Sequence, residues 1–112
     1  MKRPILRAAL VLSGLLTLAT VGSAQGGRWA KKADLPTPRF GFATAVVNGK
    51  IYVMGGATDE ALSSLRATVH EYNPLTDRWT KKANMPTERY GFAASAVDRK
   101  IYAIGGWDGT AL

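Results

Sequence analysis

The sequence aligns with itself. Trp29 corresponds to Trp79, Lys31-Lys32-Ala33 to Lys81-Lys82-Ala83, and Pro36-Thr37 to Pro86-Thr87. Arg39 corresponds to Arg89, Gly41-Phe42-Ala43 to Gly91-Phe92-Ala93, Lys50-Ile51-Tyr52 to Lys100-Ile101-Tyr102, and Gly55-Gly56 to Gly105-Gly106. Every pair is 50 positions apart and no gap is needed. About half of the positions from 29 to 62 are identical to those from 79 to 112. Self-similarity at such a period means a supersecondary unit that cannot bury its apolar face alone and must stack on its neighbours.

Within one unit the local code is that of strands. Phe42 to Val47 is apolar or small, with β-branched residues. Asn48-Gly49 follows, a pair suited to a two-residue turn at positive φ and the strongest short hairpin signal. Lys50 to Met54 reads as a second strand that stops at Gly55-Gly56. A polar loop runs to about Leu65, and Arg66 to Tyr72 reads as a third strand. Asn73-Pro74-Leu75-Thr76-Asp77 is turn chemistry, and Arg78 to Lys81 makes a short fourth strand around Trp79. Pro36, Pro38 and Pro86 fall in connections, where a missing N–H does no harm. In the second copy Asp98-Arg99 replaces Asn48-Gly49. Arg99 must then take a conformation that suits glycine, or the turn differs in type. The first hairpin is expected to be the better formed.

The order is an apolar strand (Val46-Val47), a glycine pair (Gly55-Gly56), a variable loop, Tyr72, six residues and then Trp79. It resembles the kelch repeat, at the kelch period of ~50 residues. The Gly-Trp-Asp-Gly run at 106–109 is similar to the loop that follows the glycine pair in many kelch units. The resemblance implies an all-β fold of kelch-type β-propeller blades. One complete four-stranded antiparallel blade would span 39–82 and a partial second blade 89–112. A leading outer strand at 28–32, around Trp29, would complete the last blade of a ring. A ring needs at least four blades, so the chain is expected to be the N-terminal part of a longer protein.

An N-terminal signal helix is expected before the blades. Lys2, Arg3 and Arg7 precede an apolar run from Ala8 to about Val21, closed by Gly22-Ser23-Ala24. This is the layout of a secretory signal peptide over 1–24, cut before Gln25. The apolar run is shorter than the ~20 residues of a spanning helix, and no later segment is long and apolar enough to span. The expected location is therefore periplasmic or extracellular, with no stable membrane span after cleavage. Cleavage leaves a mature charge of +4, three below the +7 of the whole chain. The cations are spread through both repeats, which argues against a nucleic-acid partner. With no cysteine, neither a disulfide framework nor a thiolate metal site is possible in this stretch.

Gly55, Gly56, Gly105 and Gly106 are expected to turn the backbone at positive φ and to admit a neighbouring blade. Tyr52, Tyr102, Tyr72, Trp79 and Trp29 are large rings able to bury area while bringing a polar atom to a partner. By the resemblance such rings pack between sheets. His70, the single histidine, would share a strand face with Thr68 and Tyr72, away from Glu71. Alone it is a packing or surface residue, not a metal site. Asp59, Glu60 and Asp108 fall in loops.

Arg39 and Arg89 follow a Pro-Thr-x step and precede the innermost strand. By the resemblance, that position lies near one mouth of a propeller channel. Guanidinium forks there suit carboxylates and phosphates; alternatively each bonds carbonyls of a neighbouring blade and holds the ring together. No catalytic residue, metal or cofactor is identified. The expected function is an exported binding or scaffold module for a protein or glycan. The alternative is a carbohydrate-active kelch enzyme, either like a sialic-acid mutarotase or like the copper-radical galactose oxidases, with its catalytic residues in other blades.

Overall fold

A computed structural model describes residues 27–110. The signal segment lies outside the described residues. The chain divides into two units between Lys32 and Ala33. Of the first, only residues 27–32 are described, and they carry no regular structure beyond a turn at Gly27.

The second unit is all-β. Strands β1 (Ala43–Val47), β2 (Lys50–Met54), β3 (Val69–Asn73) and β4 (Arg78–Lys82) form one sheet in the order β1-β2-β3-β4. Every neighbouring pair is antiparallel, so the sheet is a meander. Strands β5 (Ala93–Val97) and β6 (Lys100–Ile104) form a second, two-stranded sheet. The first hairpin pairs Ala43 with Met54 through to Val47 with Lys50. The second repeats that register from Ala93 with Ile104 to Val97 with Lys100.

Register follows from the turns. Asn48 and Gly49 lie at φ 51° and 75°, and Asp98 and Arg99 at 51° and 64°. Both pairs are in the left-handed region at both positions, as a type I′ turn requires. Arg99 therefore accepts the conformation that glycine takes freely, and the turn type does not change. The third strand begins later than the sequence suggests. Its first three expected residues spend their backbone groups elsewhere: Arg66 N–H donates to Gly56 O at 2.9 Å, and Ala67 O accepts from Met85 N at 2.8 Å. Thr68 O accepts from Gly55 N at 3.0 Å. Only from Val69 is the backbone free to join the ladder with β2 and β4.

Arg28–Lys32 form no strand, contrary to the expected leading outer strand. Neither sheet includes them, and a strand exists only through its ladder. Trp29 is 97% exposed, so it does not pack between sheets.

Alternation along the strands gives the first sheet two faces. Ala45, Met54 and Val69 form the buried cluster on one face, with Tyr52, Met85, Phe92, Ala94 and Ile101 against it. That face meets the second sheet, and β1 lies alongside β5. The other face carries Val53, His70 and Lys81 in one cross-strand row.

Replacing Arg99 with glycine relieves a left-handed residue, worth about 1–2 kcal/mol. The added freedom of the unfolded chain offsets about 0.4–1 kcal/mol of this. Arg99→Gly is therefore expected to stabilise the full-length protein by about 0.5–1 kcal/mol. Urea unfolding checks this, and an unchanged or lowered midpoint would refute it.

Candidate functional site

The glycine pair that ends β2 organises the surroundings of both arginines. Gly55 and Gly56 lie at φ 66° and 90°, and Gly105 and Gly106 at 75° and 86°. A Cβ on Gly56 would sit 2.6 Å from the Phe40 carbonyl oxygen. That close approach allows Phe40 and Ala57 to exchange two backbone hydrogen bonds, of 3.0 and 2.9 Å. Tyr90 and Trp107 repeat the bridge in the second unit, at 3.0 and 2.9 Å. A Cβ on Gly55 would instead meet the second unit: Arg89 O and the Phe92 ring, each at 2.8 Å. Gly56 N–H donates to Arg89 O at 2.8 Å, and Gly91 N–H to Gly41 O at 2.8 Å. Phe40 and Tyr90 meet edge to face, with centroids 5.7 Å apart.

Each arginine caps the glycine turn of its own blade. Arg39 Nη1 donates to Gly55 O at 3.1 Å and, at the longer distance of 3.5 Å, to Thr68 O. Its Nε donates to Thr37 O at 3.4 Å. Arg89 Nη1 donates to Gly105 O at 2.7 Å. The carbonyls engaged are therefore not those of a neighbouring blade. Side-chain geometry forces this, because each arginine enters β1 or β5 beside the end of β2 or β6. Burial, and then Arg66, push the Arg39 guanidinium below its ordinary value; it remains a cation. The two forks do not share a cavity. Arg89 lines a cleft of about 450 Å3 between the sheets, with Tyr52, Met54, Val69, Met85 and Ile101. Arg39 lines a separate hollow beside His70.

The rings divide by face. Tyr52 packs against the inter-sheet cluster, and its hydroxyl donates to Glu71 Oε2. That hydrogen bond, then burial, raises the phenol above its ordinary value. Tyr72 and Trp79 stack on the opposite face, centroids 5.0 Å apart. Tyr72 donates to Asp77 Oδ1 at 2.7 Å, and Trp79 Nε1 to Ala33 O at 2.9 Å. Tyr102, the repeat mate of Tyr52, is 50% exposed, because no further sheet covers its face among the described residues. Asp59 accepts from Ser63 N and Oγ, and Asp108 from Thr110 N and Oγ1, so both are loop-turn residues. His70 is buried, which its place in the sequence left open. Among the described residues no cluster of His, Cys, Asp or Glu could hold a metal ion.

A four-stranded antiparallel meander, with its innermost strand against that of the next sheet and a glycine pair after its second strand, is a β-propeller blade. The Kelch motif model matches residues 38–86 and 88–112, and the chain belongs to the kelch family. Among solved structures it is similar to one titled "Structure of YjhT", with 30% identity and a TM-score of 0.62. The match covers 70% of this chain and 24% of that one. No curated protein matches the chain.

Gly55→Ala would place a methyl group against Arg89 O and Phe92 at a residue of positive φ. The full-length protein is expected to lose about 1–3 kcal/mol of stability. Hydrogen exchange at the Gly56 amide, which bonds Arg89 O, should accelerate more than at β3 amides. Equal protection in variant and parent would contradict the inter-blade role of this turn.

Proposed function

We propose that the chain supplies blades to an exported kelch propeller that binds an acidic protein segment or an acidic glycan. One observation carries this reading: a guanidinium recurs at the same point of both blades, held each time by the carbonyl of its own glycine turn. A fork anchored by one nitrogen keeps its direction and has further N–H donors to offer. Repeated around a ring, beside the innermost strands, such forks give a rim of fixed cationic donors. These suit carboxylates and phosphates.

Replacing both Arg39 and Arg89 with lysine keeps the charge and loses the planar fork. With N-acetylneuraminic acid as calorimetric probe of the full-length protein, affinity should fall about tenfold for each charge-assisted hydrogen bond lost, corresponding to ~1.5 kcal/mol. A lowered melting temperature with unchanged affinity would leave these arginines only their carbonyl-capping role. The same forks are what a sugar-acid mutarotase of this family would need. Accelerated exchange between the two anomers of the probe, followed by NMR, would select that enzymatic reading over simple binding.

Export rests on the basic start, the apolar run and the Gly22-Ser23-Ala24 close. Expression in a bacterium should give a periplasmic or secreted species beginning near Gln25. A membrane-bound product retaining Met1 would refute cleavage.

A further inference from the structure

The blade face turned away from the second sheet carries a hollow that the channel-rim reading does not use. Thr37, Arg39, Arg66, Thr68, His70 and Lys81 line it, around a volume of about 260 Å3. Three of the six are cations and none is a carboxylate. Their placement follows from the strand register. His70 on β3 is opposite Lys81 on β4, and Thr68 lies two residues before His70, on the same side. Arg39 is fixed by its carbonyl bonds, and Lys81 Nζ donates to Asn84 Oδ1 at 2.9 Å. Glu71, the nearest residue of opposite charge on β3, points to the other face, where Tyr52 and Lys82 engage it.

Two polar atoms at this hollow have no partner. His70 is 8% exposed, and its Nδ1 makes no hydrogen bond. The buried Thr68 Oγ1 makes none either. Buried polar groups are ordinarily satisfied, and an orphan among the lining residues calls for a partner. A water molecule could satisfy both atoms but would leave the three cations uncompensated. A metal cation would add to their repulsion. An anion with several acceptor oxygens satisfies the hydroxyl, the imidazole N–H and the charges together.

We propose that this hollow on the first blade is a binding site for one compact oxyanion, a phosphate or a carboxylate, held by Arg39, Arg66 and Lys81 with Thr68 and His70 as neutral donors. The site shares Arg39 with the channel rim but sits on the β3–β4 side of the blade, and its other residues take no part in the rim. Desolvation, then Arg39 and Lys81, hold the His70 imidazole below its ordinary value of 6.5. The groups facing it are therefore cationic or neutral. A bound anion acts in the opposite sense and favours the imidazolium.

The test uses the full-length protein with ring-labelled histidine, the His70 signals being assigned by their absence from His70→Gln. Inorganic phosphate and acetate are titrated separately at ionic strength held constant with chloride. Either probe should shift the His70 ring signals saturably and raise the pH midpoint of the ring. Phosphate alone doing so assigns a phosphate group, acetate alone a carboxylate, and both assign the shared oxyanion chemistry. Lys81 is exposed, so Lys81→Met should keep the fold while weakening the apparent affinity at least fivefold. Thr68→Val gives a second, nearly isosteric variant with the same expectation. A ring that responds to neither probe beyond chloride overturns the site. So does equal affinity in the parent and both variants. Intact calorimetric binding at the rim with a silent His70 ring sinks this site alone.

Discussion

The turn at Gly55-Gly56 is the point at which three different demands on the backbone meet. β2 must end, the loop that follows must be tied back to the entry of β1, and the connection into the second blade must pass within hydrogen-bonding distance. Each demand is met by a backbone group of the pair. Gly55 N–H goes to Thr68 O, Gly56 N–H to Arg89 O, Gly55 O to Arg39, and Gly56 O to Arg66 N–H. All four groups are satisfied, as buried backbone requires. No side chain could be added at either position without meeting a neighbour closer than real Cβ contacts allow. The arginine, the third strand's late start and the docking of the second sheet all depend on this one bare stretch of chain.

From that point the two faces of the blade diverge in character. The inward row of Ala45, Met54 and Val69 is small or unbranched enough to let the second sheet approach, and Met85 and Phe92 fill the space between. The alternate row has the same strands and the same pleat but ends in His70 and Lys81. A single β-strand thus places Val69 in an apolar junction and His70 in a cationic recess one residue later. That is the period-two rule applied to a strand buried on both sides.

Much of this was legible in the amino-acid sequence because the repeat reports on itself. Both hairpins, their turns and the fourth strand follow from residues whose local preferences agree with the fold: Asn48-Gly49, the β-branched and aromatic residues of β2, and the Asn73–Asp77 turn. What was not legible depends on partners distant along the chain. Arg66–Thr68 have strand composition, yet their carbonyls and amides are claimed by Gly55, Gly56 and Met85. Trp29 matches Trp79 in type, but only Trp79 has a sheet and Tyr72 beneath it. The repeat offset placed Arg39 and Arg89 correctly beside the innermost strands. Which carbonyl each one bonds, and the burial of His70, depend on the three-dimensional path of the glycine turn, for which the sequence carries no local signal.

The junction between the blades is made largely by main chain. Gly56 to Arg89, Gly91 to Gly41, Met85 to Ala67 and Arg89 to Arg66 are all amide-to-carbonyl bonds. Main-chain groups are common to every residue except for the N–H that proline lacks. A unit of this kind therefore carries both halves of its docking surface with it when its coding segment is copied. A tandem duplicate can seat against its parent before any side chain has been adjusted. Divergence can then proceed in the loops and on the blade faces, while the glycine pair and the path of the backbone keep successive copies interchangeable.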